Sequence, residues 1–348
     1  MTEATNMEGE LEVARPRNDG YRFGAHWFVG VSLTLFALVP FMAPGRYTTA
    51  VLISILFFAL FGAIYDFMVG YAGLNNFGFA SFIAVGAYAS ALSQLYLGTS
   101  AWSGLLIGGL ACSLVGAFTG LITLPLLGIY ISFMTWFIGE TIRLTISNAR
   151  GVTKGMLGLV VQPLENVFGL DFSRGSDPIS YFYVLLTLAV VCTLTMQVIV
   201  NSQLGLVWRS MKEDDLAART LGIRTGWARI INFTIASFFI GAVGAFYGNY
   251  LGVLAPTKSE FGVIRTVEVL TIAYVGGRGS LWGSFFAAAL IVSLGEVFRE
   301  FETWRPAVSG ALLITVVIFA PKGLAGILDH IQPVFARLSE RLTKMVSH

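Results

Sequence analysis

Few residues in this chain carry groups able to act on a substrate, and most of its length is apolar. Between Tyr47 and Gly139 the one charged residue is Asp66; Glu140 and Arg143 follow in the next apolar run. A charge held at membrane depth costs about 2.5–3.5 kcal/mol on insertion scales, so it turns toward protein interior or water. Glu140 and Arg143 stand three apart, where they can pair along one helix. That structural pairing competes with a role in a translocation pathway. Asp66 has no basic neighbour in sequence and lies four residues before Gly70, near the end of its run, where water can reach it. Asn75 and Asn76 interrupt an apolar stretch between Gly73 and Gly78. Backbone freed there needs partners or a cavity. A polar pathway lining and a re-entrant turn without substrate contact both satisfy that need.

The richest polar stretch is Asn201–Arg229. It carries Arg209, Lys212, Glu213, Asp214, Asp215, Arg219, Arg224 and Arg229, between the uncharged runs Tyr181–Val200 and Ile230–Thr257. Ser210 with Glu213 three residues on reads as a capping box. Gly222 suits the left-handed residue past a helix end. The expected element is a helix of about three turns over Ser210–Gly222. Leu216, Ala217, Thr220 and Leu221 lie on one side of it. Such a helix is a surface for another protein to hold; a solvated loop that only orients the chain fits the same letters.

Hydrolytic chemistry is excluded by type and spacing. The histidines are His26, His330 and His348, and no Ser-His-Asp or Cys-His arrangement is suggested. Gly151-Val152-Thr153-Lys154-Gly155 has the letters of a phosphate loop without its spacing. Cys112 and Cys192 lie in apolar runs as small hydrophobes, so neither a disulfide nor a metal site is expected. A net charge of +2 gives no reason to expect a nucleic-acid partner.

The elements that must position these groups are membrane helices. The chain has 348 residues, 55% hydrophobic and 12% charged, against about 25% charged in soluble proteins. The expected class is all-α: a polytopic protein with apolar spans at 27–44, 49–70, 77–97, 102–125, 128–147, 181–200, 230–254, 264–276, 281–299 and 306–320. Segments 77–97 and 264–276 are flanked by glycines or short, as in broken or re-entrant helices. Residues 1–26 form a polar N-terminal segment without the apolar core of a signal peptide. The apolar membrane body is 27–326, with a large outer loop at 148–180. Residues 327–348 carry Phe335, Leu338, Leu342 and Met345 at helical spacing, as in an interfacial amphipathic helix. A modest excess of Lys and Arg on the side of the 201–229 island places it and both termini in the cytoplasm. A weak likeness between Gly73–Tyr88 and Gly276–Phe286 fits two related five-helix halves, or simply two close-packed glycine-rich helices.

Five ordered motifs resemble a known family over roughly residues 48–326. They are Gly70-Tyr71-Ala72-Gly73 with Gly78 and Gly86-Ala87-Tyr88; Gly128-Ile129-Tyr130 through Thr135, Glu140 and Arg143 to Thr153-Lys154-Gly155-Met156-Leu157-Gly158-Leu159; Ala217-Ala218-Arg219-Thr220-Leu221-Gly222; Glu268 with Gly276-Gly277-Arg278-Gly279-Ser280-Leu281-Trp282-Gly283; and Pro321-Lys322-Gly323-Leu324. Together they resemble the inner-membrane permease subunits of bacterial ABC importers for branched-chain amino acids, the LivM type. The resemblance implies a coupling loop made of Ser210, Lys212, Glu213, Asp214, Asp215, Ala217, Ala218, Arg219 and Gly222. It implies a pathway near Asp66, Asn75, Asn76, Phe79, Tyr88 and Glu140, with Gly73, Gly78, Gly276, Gly277, Gly279 and Gly283 as structural glycines. The implied partners are a second, homologous permease, two cytoplasmic ATP-binding subunits that carry ATP and Mg²⁺, a periplasmic binding protein and membrane lipid. No cofactor is expected in this chain. Where the family pattern has Gln, Ser and His, this chain has Leu74, Asn76 and Phe79, and importers of urea, amides and other amino acids share the architecture. A stand-alone channel or secondary transporter is the rival class, one that normally shows ionisable relays within its spans. Labelling of a cysteine at His348 should occur from the cytoplasmic side; periplasmic labelling would remove an odd number of spans.

Overall fold

The computed structural model describes residues 45–166, 171–172 and 178–297, with isolated positions outside them. The elements below belong to the compact unit that begins at Pro44. The expected spans 27–44 and 306–320, the N-terminal segment 1–26 and the tail 327–348 lie essentially outside the described residues.

Twelve helices are described: α1 Arg46–Ala72, α2 Phe79–Leu97, α3 Ala101–Ile122, α4 Ile129–Asn148, the single turn α5 Arg150–Thr153, α6 Ile179–Val200, α7 Gln203–Glu213, α8 Asp215–Thr220, α9 Thr225–Leu251, α10 Lys258–Phe261, α11 Val263–Gly276 and α12 Gly283–Val297. Each of the eight expected spans within the described residues coincides with one of them. Five, α1, α2, α3, α6 and α9, are long and apolar enough to cross a membrane. The 14 residues of α11 reach only ~21 Å at 1.5 Å per residue, short of a ~30 Å hydrocarbon core.

Segment 77–97 is preceded by non-helical chain, and segment 264–276 by the single turn α10 and Gly262. The 27-residue α1 ends at Gly73 (φ 70°), whose N–H donates to Met68 and Val69 carbonyls. The 27-residue α9 ends the same way at Gly252 (φ 73°), donating to Gly248. After each, the chain runs without long helix before α2 or α11 begins. The starts of these helices meet: the Ala80 N–H donates to Thr266 Oγ1 at 3.1 Å, and Ser81 Oγ to the Phe261 carbonyl at 2.9 Å. The helix α1 runs toward the 201–229 island and α9 away from it, so the two stretches have opposite sense. An inverted pair of segments is how broken membrane helices come to converge near the midplane. Gly73 and Gly252 thus each close a 27-residue helix with a left-handed glycine.

Loop 148–180 is partly ordered by Thr153, whose Oγ1 donates to the Ile146 carbonyl at 2.6 Å. Its strand β1, Leu159–Val160, pairs antiparallel with β2, Val253–Leu254, a two-residue addition to an otherwise helical chain. This loop is thereby tied to the end of α9.

Without a hydrophobic drive between helices in lipid, close backbone approach supplies the packing. A Cβ at Gly86 of α2 would lie 2.2 Å from the Gly241 carbonyl oxygen of α9, and one at Gly241 would lie 2.4 Å from that of Gly108 in α3. Phe57, Phe61, Phe79 and Tyr247 add edge-on ring contacts between α1, α2 and α9. Gly86→Val should therefore cost more than the ~1–3 kcal/mol usual for overpacking, read as a lowered Tm in detergent. Gly151→Ala, where nothing lies within 4 Å, should leave Tm unchanged.

Candidate functional site

The island folds as two helices rather than one. Ser202 caps α7, accepting from the Leu204 N–H. Ser210 lies inside that helix and donates to the Val207 carbonyl at 2.8 Å. The expected capping box at Ser210 and Glu213 is therefore not formed. The chain breaks at Asp214 (φ −155°, ψ 105°), whose Oδ1 accepts from the Leu216 and Ala217 N–H groups at 2.8 and 3.0 Å. A carboxylate takes two amide donors and favours the positive end of a helix, so Asp214 outcompetes Ser210 as the cap. Gly222 does stand in the left-handed region at φ 84°.

Most of the charges expected at a docking rim are engaged within the chain. Asp215 pairs with Arg219 at 2.7 Å and with the buried Arg229 at 3.9 Å. Arg229 Nη1 also donates to the carbonyls of Thr123 and Leu126, each at 2.8 Å, after the end of α3. Ala218 is buried at 2% exposure, so it packs inward rather than meeting a partner. Trp208 is fully buried and donates to the Ala228 carbonyl at 2.9 Å. Exposed on the island are, among others, Glu213, Ala217, Thr220, Leu216 at 68% and Leu221 at 81% exposure.

The inner end of α1 is bound to this island and to the loop between α11 and α12. Lys212 Nζ donates to the Gly70 carbonyl at 2.6 Å. Burial pushes the Lys212 ammonium below the ordinary lysine range, and the Asp66 carboxylate opposes that shift. Asp66 itself is fully buried rather than hydrated. Its two oxygens accept the Gly279 N–H at 2.8 and 3.1 Å, and Tyr71 Oη donates to the Gly279 carbonyl at 2.7 Å. The Gly279 backbone (φ 89°) sits so close that a Cβ at Gly70 would lie 2.4 Å from its nitrogen. Tyr274 Oη donates to Asn75 Oδ1 at 3.1 Å, and the Arg278 guanidinium lies 5.5 Å from the Tyr274 ring centroid. Gly276 and Gly283 close the loop, since a Cβ at Gly283 would lie 2.2 Å from the Gly276 carbonyl oxygen.

The remaining expected pathway residues fall deeper. Asn76 is buried; its Oδ1 accepts from the Gly78 N–H at 3.0 Å, and its Nδ2 has no partner among the described residues. Gly78 abuts the Thr135 carbonyl of α4. Phe79 is buried against Phe61 and Tyr65. Tyr88 Oη donates to the Leu254 carbonyl at 2.9 Å. Glu140 does pair with Arg143, which also donates to the Pro256 carbonyl at 3.0 Å.

A second charged group was legible but unread. Arg265 binds Glu260 and Glu268, each at 2.9 Å. Glu260 accepts from Tyr247 Oη at 2.8 Å. Arg265 and Glu268, three apart inside segment 264–276, were the available signal. No group of three or more His, Cys, Asp or Glu arranged for a metal occurs among the described residues.

The fold and site define a multi-pass helical membrane protein with a structured inner loop and charges held among its helices. Residues 30–321 match the family model described as branched-chain amino acid transport system / permease component. The chain belongs to that family. It is 30% identical over 329 residues to the high-affinity branched-chain amino acid transport system permease protein LivM of Escherichia coli K12, covering 89% of this chain and 77% of that one. It is 30% identical over 128 residues to the permease protein LivH of the same strain, covering 36% and 40%. A solved structure titled PsaBC from Streptococcus pneumoniae in complex with Fab aligns over 82% of this chain and 96% of that one, with a TM-score of 0.45 and 14% identity.

Asp66→Ala should lower Tm in detergent by the equivalent of about 1–3 kcal/mol, because the Gly279 N–H is left buried without an acceptor. An unchanged Tm would mean that water replaces the carboxylate.

Proposed function

We propose that this chain is the membrane permease subunit of an ATP-driven importer that carries branched-chain amino acids across the bacterial inner membrane. It works with a second, homologous permease, two cytoplasmic subunits that bind ATP and Mg²⁺, and a periplasmic binding protein that delivers the solute. The family membership supports the transport class. The observation that carries the ATP-driven reading is the island: two exposed leucines at the tip of a capped helix, braced from behind by Arg229, Trp208 and Lys212. Exposed apolar side chains set on a braced element suit an anchor that enters a pocket on another protein.

The brace supplies the route for force. A displacement of the island reaches α1 through Lys212 and Gly70, and reaches the Gly277–Gly279 loop through Gly70 and Asp66. Both α1 and α11 border the chain breaks that meet near the membrane centre. Alternating access then follows when nucleotide-driven closure of the partner favours one arrangement of these elements over the other.

The paired variant Leu216→Glu/Leu221→Glu tests this. Both positions are exposed, so the membrane body should keep its Tm and still assemble with the second permease. Co-purification of the ATP-binding subunits and uptake should both fall by about tenfold or more, the loss of one anchor of at least ~1.4 kcal/mol. Normal retention of the ATP-binding subunits would return the island to a solvated loop.

A further inference from the structure

The group around Arg265 lies where a charge is least expected. The Arg265 guanidinium sits 5.0 Å from the ring centroid of Phe58, which lies near the middle of the 27-residue α1. Arg265 thus lies against the central turns of a long apolar helix, away from either end. Arg265 is held inward, with 16% of its side chain exposed, while Glu260 and Glu268 keep 34% and 31% exposed. The charge offered outward is therefore carboxylate, and two acids share one guanidinium. Glu268 also lines a cleft between α1, α11 and α12, with Phe58, Thr271, Ile272 and Ile291 around it.

A carboxylate about one-third exposed beside the middle of an apolar helix does not rest against lipid tails; it faces a water-filled cavity or a partner. Nothing about the fold requires it, since the meeting of α2 and α11 is already bonded through Thr266 and Ser81. We propose that Glu268, steadied by Arg265 and Glu260, is the station in the translocation pathway that receives the ammonium group of an α-amino acid. Phe58 and Ile291, both partly exposed, offer apolar surface for its alkyl side chain, backed by the buried Ile272. Arg265 orients both carboxylates, and Tyr247 holds Glu260 from behind. The arrangement selects a cargo with a cationic head and an apolar body, and gives a neutral solute such as urea no comparable partner. This inference rests on the permease reading above and names the substrate contact within it.

The test uses the complete importer in proteoliposomes, with both permeases, the ATP-binding subunits and leucine-loaded binding protein. Glu268→Gln should lower leucine uptake by about tenfold or more, the loss of one charge-assisted contact. Glu268→Asp should recover a measurable part of it. In the wild-type importer a water-soluble carbodiimide with an amine nucleophile should label Glu268, mapped by peptide mass spectrometry, and transport of leucine should slow the labelling. Wild-type uptake by Glu268→Gln, or no labelling of Glu268 in any nucleotide state, overturns the site and leaves the permease reading standing. Failure of Glu268→Gln to assemble shifts the decision to the labelling arm, which needs no variant. Absence of amino-acid uptake by the wild-type complex would sink the permease reading itself, and this site with it.

Discussion

A carboxylate without water holds the inner end of this membrane domain together. Asp66 is fully buried, and its two oxygens share the Gly279 N–H. Removing a charge from water is costly unless hydrogen bonds and a counter-charge replace the hydration. Gly279 supplies the bond, and Lys212 stands close enough for its charge to be felt. The same contact depends on the absence of side chains, since a Cβ at Gly70 would lie 2.2 Å from Asp66 Oδ1 and 2.4 Å from the Gly279 nitrogen. Three stretches far apart in sequence thus meet within a few ångströms: the end of α1, the 201–229 island and the glycine loop before α12. Each glycine in the node is a condition for the next bond.

The polar groups of the chain fall into two layers that do different work. One joins the island to α1 and to the glycine loop. The second, around Arg265, lies against the central turns of α1 and keeps its carboxylates about one-third exposed. Between them lie the starts of α2 and α11, joined by Thr266 and Ser81.

Helix positions were legible because membrane spans need long apolar runs: each of the eight expected segments within the described residues coincides with a helix, and five of these helices are long and apolar enough to cross a membrane. The island was legible from its charges. Its internal cap was misread because Ser210 and Asp214 both fit a helix start, and only backbone conformation decides between them. The partner of Asp66 was not legible, since Gly279 stands 213 residues away and contributes only a backbone N–H. Ala218 gave no sign of facing inward, because a small residue suits a buried position and a docking surface equally. The Arg265 group was the opposite case: two charges at helical spacing in a short span are a strong local signal, obscured by attention to the glycines beside it.

The central claim is that the island and the end of α1 move as one body. A Cβ at Gly73 would lie 3.5 Å from the Lys212 Cβ, within the roughly 3.5–4.5 Å that a disulfide spans. Gly73→Cys/Lys212→Cys can therefore be cross-linked and compared with its own reduced form in the reconstituted importer. Motion as one body predicts that uptake after oxidation equals or exceeds uptake in the reduced form. Uptake that falls on oxidation and returns with reductant would show that this contact opens during transport, and would contradict the claim.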